Sequence, residues 1–158
     1  MSVTLIEQVA GQVATDHITS TTPAIMSAGL AIFNVVGDVQ ILSLISECYT
    51  TNDATASTLQ YSFTSSNTTS ATLSGASTSL ASLTAGYAIG LQAATALTTA
   101  PLISSNNAGV VLNTNPRGVR VPTGTLKLVI GVGSTTGTWK HYIRWEPLEQ
   151  GAYITAAF

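Results

Sequence analysis

Side chains that could act as acids, bases or nucleophiles are few in this chain and widely separated. Among 158 residues there are seven Asp/Glu, two His and one Cys. General acid–base catalysis needs two titratable groups held close together with different pKa values. The carboxylates fall mostly in predicted turns or at strand ends, and only Glu47 lies inside a predicted strand. A cross-strand ion pair from Glu47 to Arg144 or Lys140 is favoured over a catalytic role.

The sequence also lacks the motifs of a metal site and of an activated nucleophile. His17 and His141 lack the spacing of a zinc site, and Cys48 has no second cysteine to join it. The sequence contains no Gly-x-Ser-x-Gly elbow. The Gly131-Val-Gly133 stretch leads into a predicted strand rather than a helix, so it is not a phosphate-binding loop. We therefore expect no enzymatic activity, no metal and no cofactor.

Two tryptophans on one predicted strand allow two interpretations. Trp139 and Trp145 could form an aromatic platform for a sugar, as in a head-fibre or tail module that binds a host surface glycan. Tryptophan on an internal strand more often belongs to the core or to a subunit contact. Core or subunit contact is the favoured interpretation, and glycan binding is the alternative.

Alternating apolar and polar residues predict the strands on which these side chains sit. Leu126, Leu128 and Ile130 alternate with polar or small residues, and Trp139 to Trp145 alternate in the same way. Seven strands are predicted at 30–36, 39–50, 58–64, 119–121, 125–132, 138–146 and 152–156. The first two are predicted to form a hairpin through Gly37-Asp38, and 125–132 with 138–146 a second one.

About eight short strands with few helical signals predict an all-β fold, a jelly-roll-like sandwich or barrel. Residues 28–158 are predicted to form this single domain. Residues 1–27 differ in pattern and are predicted to be an N-terminal arm. Its apolar residues are candidates for subunit contacts, or for packing on the parent domain: Leu5, Ile6, Val9 and Val13.

The low charge of the chain indicates association with other proteins. Only 8% of residues are charged and the formal net charge is −2, which gives little protection against self-association. Five scattered Lys/Arg are a poor footprint for nucleic acid. Neither a signal peptide nor a membrane span is predicted.

Three segments carry a resemblance to a known family. They are Phe33 to Glu47 (FNVVGDVQILSLISE), Val121 to Leu128 (VPTGTLKL) and Gly137 to Ala157 (GTWKHYIRWEPLEQGAYITAA). In these segments the chain resembles the capsid decoration, or cement, proteins of tailed bacteriophages. The resemblance extends in pattern over about residues 28 to 157, through strand and turn motifs.

The resemblance implies a virion structural protein, made in the host cytoplasm and bound to the capsid exterior. Such a protein assembles, often as a homotrimer, and bridges neighbouring subunits of the major capsid protein. The implied partners are therefore the major capsid protein and further copies of the chain, with no nucleic acid and no membrane. Trp139 and Trp145 join the apolar residues of the arm as candidate contacts.

Overall fold

The computed structural model describes residues 16–19, 29–67, 70–91, 100–103, 118–132 and 136–157, with the backbone alone at 16–19 and 102–103. Within these ranges the chain forms strands and connecting segments and no helix. The predicted all-β fold is confirmed. The seven predicted strands are all present, with ends within two residues of the expected positions.

Two antiparallel sheets contain the eleven strands of the described residues. Sheet A has the order β1-β10-β3-β6-β7, with β8 also paired to β3. Its strands are β1 (Asp16–Thr19), β3 (Val39–Cys48), β6 (Ala88–Gly90), β7 (Leu102–Ile103), β8 (Val119–Val121) and β10 (Trp139–Pro147). Sheet B has the order β11-β2-β9-β4-β5. Its strands are β2 (Leu30–Val36), β4 (Leu59–Ser65), β5 (Ala71–Thr72), β9 (Gly124–Ile130) and β11 (Tyr153–Ala156).

The core lies between the inner faces of the two sheets. In β4, Leu59, Tyr61 and Phe63 are buried, whereas the residues between them are partly exposed. Strands β9 and β10 alternate in the same way. Burial of one side chain in two is the packing expected of a sandwich whose outer faces stay accessible.

The two predicted hairpins are wrong, although their strands are right. Strand β2 belongs to sheet B and pairs with β9 and β11, whereas β3 belongs to sheet A and pairs with β10. The Gly37-Asp38 link therefore carries the chain from one sheet to the other. Gly37 has a φ of +75°, and a Cβ there would lie 2.7 Å from Oε1 of Glu149. Strands β9 and β10 are likewise in different sheets.

Three such crossings meet at one corner of the sandwich. They are Gly37-Asp38 between β2 and β3, residues 122–123 between β8 and β9, and residues 148–152 between β10 and β11. The Gly37 N–H donates to Oγ1 of Thr123 at 2.8 Å, and the Asp38 N–H donates to Oε1 of Glu149 at 2.9 Å. The Leu148 N–H donates to the Asp38 carbonyl at 2.9 Å. We refer to this region as the corner.

Serine hydroxyls complete the edge of β4. After the short β5, the chain continues beside β4 without regular strand pairing, and Oγ of Ser74 accepts from the Tyr61 N–H at 3.0 Å. Oγ of Ser77 accepts from the Leu59 N–H at 3.0 Å, and the Ser77 N–H donates to the Leu59 carbonyl at 2.8 Å. Side chains here replace part of a backbone ladder, so the edge of sheet B is satisfied rather than open.

Candidate functional site

Both tryptophans lie in the core. Trp139 is almost fully buried, and its indole Nε1–H donates to Oδ1 of Asn52 at 3.2 Å. Asn52 in turn donates from Nδ2 to the Leu80 carbonyl at 3.2 Å. Trp145 is also buried, and its Nε1–H has no hydrogen-bond partner in the part of the chain that the structure describes. Neither indole presents an open face on which a sugar ring could stack.

A polar network joins the two sheets through the core. Nδ1 of His141 in β10 lies 2.8 Å from Oγ of Ser46 in β3. The Tyr61 hydroxyl of β4 lies 2.9 Å from Oγ of Ser46 and 3.2 Å from the Ile89 carbonyl, and its one proton is shared between these two acceptors. Because Tyr61 donates to Ser46, the Ser46 hydroxyl can donate to Nδ1 of a neutral His141. The network therefore links both sheets without a charged group.

Ser46 and His141 are residue types that can act as a nucleophile and a base, but both side chains are closed off from solvent. Ser46, His141 and Tyr61 are all fully buried. Burial lowers the pKa of His141 to about 4 and raises the pKa of Tyr61, so both side chains are neutral near pH 7. Nε2 of His141 has no partner among the described residues. In this arrangement the pair can stabilise a specific packing of the sheets, but no substrate atom can reach it.

The outer face of sheet A carries charged and aromatic side chains. The Tyr142 hydroxyl donates to Oε2 of Glu47 at 2.8 Å, and Nζ of Lys140 lies 3.8 Å from the centre of the Tyr49 ring. Burial and the bond to Glu47 raise the pKa of Tyr142 to about 12. The register places Lys140 directly opposite Glu47. The Glu47 carboxylate therefore accepts a hydrogen bond from Tyr142, and the predicted ion pair from Glu47 to Arg144 or Lys140 is not formed among the described residues.

The outer face of sheet B is almost uncharged. One row of paired residues crosses four strands and consists of Thr155, Asn34, Thr125 and Thr64. A second row consists of Ala31, Lys127, Ser62 and Thr72. Three large apolar side chains are exposed on the same face: Val36, Val129 and Tyr153. Among the described residues of this face, Lys127 is the one charged side chain.

Other reactive groups are either buried or dispersed. Burial raises the pKa of the Cys48 thiol to about 11, and its Sγ–H donates to the Thr50 carbonyl at 3.1 Å. Within the described ranges, no three His, Cys, Asp or Glu side chains are grouped closely enough to hold a metal ion. The same ranges contain no helix long and apolar enough to cross a membrane.

Of the six candidate contact residues, Trp139 and Trp145 are the two that lie within the described residues, and both are buried in the core. Leu5, Ile6, Val9 and Val13 lie outside the described residues. Within the predicted arm, Asp16–Thr19 forms β1, which pairs with the edge of β10. A subunit contact through the arm or through the two tryptophans stays a prediction.

Two features were missed at the level of sequence. The His141 network joins residues 46, 61 and 141, and no local spacing connects them. The sequence indicates part of the neutral outer face of sheet B, because the polar positions of β4 and β9 are mostly Ser, Thr and Gln. What was lacking was the strand order that places these positions side by side.

Comparisons with known proteins show little similarity to this chain. No family model and no curated protein matches the chain. A solved structure titled "Structure of infectious bursal disease virus Gx strain" aligns with 92% of this chain at 11% identity and a TM-score of 0.26. The alignment covers 39% of that viral chain. A TM-score of this size does not indicate a shared fold.

Proposed function

We propose that the protein is a non-enzymatic structural component of a virion, which binds to the outside of a capsid and bridges subunits of the major capsid protein. In this proposal it acts as a homotrimer. Its working parts are surfaces rather than a reactive centre, since the Ser46–His141 pair is closed to substrates.

The observation that carries the proposal is the uncharged outer face of sheet B. Depletion of charge at the centre of a surface distinguishes protein-binding faces from the rest of a protein surface. This face has a single lysine and three exposed apolar side chains among its described residues, whereas the outer face of sheet A carries Lys140, Glu47, Arg144 and Glu146. The contrast between the two faces favours sheet B as the side that binds a protein partner.

The resemblance to phage decoration proteins supports the nature of that partner. Its longest segments, Phe33 to Glu47 and Gly137 to Ala157, include most of β2 and β3 and all of β10 and β11. These four strands form a continuous antiparallel ribbon that folds from sheet A to sheet B at the corner. The residues that carry the resemblance therefore form one connected part of the fold.

A symmetric shell suits weak individual contacts. Many identical sites bind many copies, and linked copies gain affinity without any additional contact per copy. A trimer that bridges adjacent capsid subunits would stabilise the shell even when each contact is small. A hydroxyl-rich, weakly charged face is adequate for that purpose.

The test uses capsid shells of the virus whose genome carries this gene, purified without the protein. Wild-type protein is added to mature, expanded shells and to unexpanded shells, and bound copies are counted by cryo-electron microscopy. The proposal expects stoichiometric occupancy of symmetry-related sites on expanded shells, with sheet B facing the shell. Absence of binding to both kinds of shell would contradict it.

A further inference from the structure

Lys127 lies at the centre of the outer face of sheet B. It is the middle residue of β9 (Gly124–Ile130), and β9 is the central strand in the order β11-β2-β9-β4-β5. Its side chain points outward, because the flanking residues Leu126 and Leu128 are fully buried in the core. The one charged side chain described on this face therefore occupies the middle of the face and not its rim.

The surroundings of Lys127 on this face carry no opposite charge. Its register partners are Ala31 on β2 and Ser62 on β4, and its neighbours on the same side of β9 are Thr125 and Val129. Lys127 is partly buried, and it forms no hydrogen bond or ion pair with the residues that the structure describes. No counter-charge for its ammonium group is thus present among these residues.

The carboxylates in the described part of the chain lie elsewhere in the fold. They are at the corner (Asp38, Glu149), on the outer face of sheet A (Glu47, Glu146) and in the segment after β3 (Asp53). The corner is where the chain enters β9, which is about 10–13 Å along the strand from Lys127 at ~3.3 Å per residue. A counter-charge for Lys127 has to come from outside the described residues.

Covering the centre of sheet B changes the energetics of this lysine. Lysine is depleted at the cores of protein interfaces, because an ammonium group that leaves water without a counter-charge destabilises the complex. An apolar partner surface would incur that penalty. Two copies of the chain that packed sheet B against sheet B about a two-fold axis would bring two Lys127 side chains together, which is also unfavourable. A partner with a carboxylate at the matching position avoids both penalties.

We infer that Lys127 selects the partner of this face by pairing with an Asp or Glu side chain on the surface to which sheet B docks. The inference rests on the proposed function, in which that surface belongs to a capsid subunit. It adds the chemistry of the partner at the centre of the contact, where a carboxylate faces the ammonium group. Contacts between copies of the chain are then made by other surfaces of the molecule.

The structure of wild-type protein on expanded shells gives the most direct test. In a cryo-electron microscopy map of the bound complex, Nζ of Lys127 should lie within about 4 Å of a carboxylate oxygen of the capsid subunit, the separation of an ion pair. A complex in which Lys127 faces solvent, or a surface without a carboxylate, overturns the inference.

Variants of Lys127 in the full chain test the same pair by affinity. Lys127→Met keeps an unbranched side chain and removes the charge, so the partner's carboxylate is left without a counter-charge. We expect at least about 30-fold weaker binding, the loss typical when one member of a buried charge pair is removed. Lys127→Glu should bind more weakly still, because it places two carboxylates together. Lys127→Arg keeps the charge and should retain most of the binding.

Lys140→Met is the matched control. It makes the same change in net charge, but on the outer face of sheet A, where Nζ of Lys140 lies 3.8 Å from the centre of the Tyr49 ring. It should bind shells like wild type, so that a loss confined to the Lys127 variants reports the position of the charge and not the total charge. Thermal unfolding of every variant verifies that the sandwich is intact.

The outcomes separate the inference from the function on which it rests. If wild type binds shells and both Lys127→Met and Lys127→Glu bind equally well, the inference is overturned and the proposed function stands. Failure of wild type to bind any shell overturns both. If Lys127→Glu instead lowers the mass of the free protein in solution, this face joins copies of the chain, and the inference is wrong. Affinity that falls from Arg to Met to Glu at position 127, with Lys140→Met unaffected, supports it.

Discussion

Buried polar side chains give this sandwich a chemical sensitivity that its apolar core does not have. His141 is placed where it must be neutral, with Nδ1 bonded to Ser46 and Nε2 surrounded by protein. A buried neutral group is compatible with folding only while it stays neutral, because an imidazolium in the core would lose its hydration without gaining a counter-charge. This histidine therefore couples stability to pH.

We predict that the protein loses stability on acidification, through His141. Its pKa is about 4 in the folded protein against 6.5 for an ordinary histidine, so the unfolded chain binds the proton more readily. The free energy of unfolding is unaffected by this histidine above pH 6.5. It falls as the pH is lowered toward 4, by about 3 kcal/mol in total. Urea unfolding at a series of pH values measures it.

His141→Asn is the control for this pH dependence. It keeps a polar atom near Ser46 but cannot titrate, so its free energy of unfolding should vary less over the same pH window. Any slope that remains reports the carboxylates. Equal slopes for wild type and variant would show that His141 does not control the response to acid.

Tyr61→Phe is predicted to destabilise the protein by about 1–2 kcal/mol, since it removes a buried donor from Ser46 and from the Ile89 carbonyl. The ring remains, so packing is nearly unchanged. Tyr142→Phe is the matched control, because its hydroxyl bonds to Glu47 on the partly exposed outer face of sheet A. There a change within about 0.5 kcal/mol is expected. Chemical denaturation distinguishes the two, and equal losses would count against a special role for the network.

At the scale of elements, the strands were predictable from sequence but their partners were not. Alternation in residues 125–132 and 138–146 identifies two strands because each buries one face. Alternation does not distinguish a hairpin turn from a crossing between sheets. The Gly37-Asp38 link crosses because β3 is held by β10, about a hundred residues away along the chain. For the same reason the corner, which joins residues 38, 123 and 149, could not be located from sequence.

The Ser/Thr-rich middle of the chain has a structural explanation that composition alone obscured. Oγ of Ser74 and Oγ of Ser77 accept from consecutive inward-facing residues of β4, so small hydroxyl side chains replace strand carbonyls. Ser57, Ser74 and Ser77 are buried where this segment runs along the edge of the sheet. Part of the hydroxyl content therefore belongs to the interior, not to the surface.

Ser77→Ala is predicted to cost about 1–3 kcal/mol, because the buried Leu59 N–H loses its acceptor and the site is too enclosed for ready replacement by water. Thr78→Ala, at the adjacent exposed position, serves as control and should change stability by no more than about 0.5 kcal/mol. Unfolding in urea measures both free energies, and amide hydrogen exchange at Leu59 localises the effect. Protection at Leu59 that is unchanged in Ser77→Ala would contradict the assignment of this hydroxyl as its acceptor.

At the scale of the whole molecule, the low charge of the chain predicts self-association without electrostatic help. We expect sedimentation equilibrium to give about three times the chain mass of 16.2 kDa. Since only 8% of residues are charged, the association should depend on apolar and hydroxyl contacts. Raising the salt concentration should therefore leave the mass unchanged, whereas a trimer held by ion pairs would dissociate as its charges are screened. A monomeric mass at all accessible concentrations would contradict the trimer, and bridging between capsid subunits would then have to be achieved by a single sandwich.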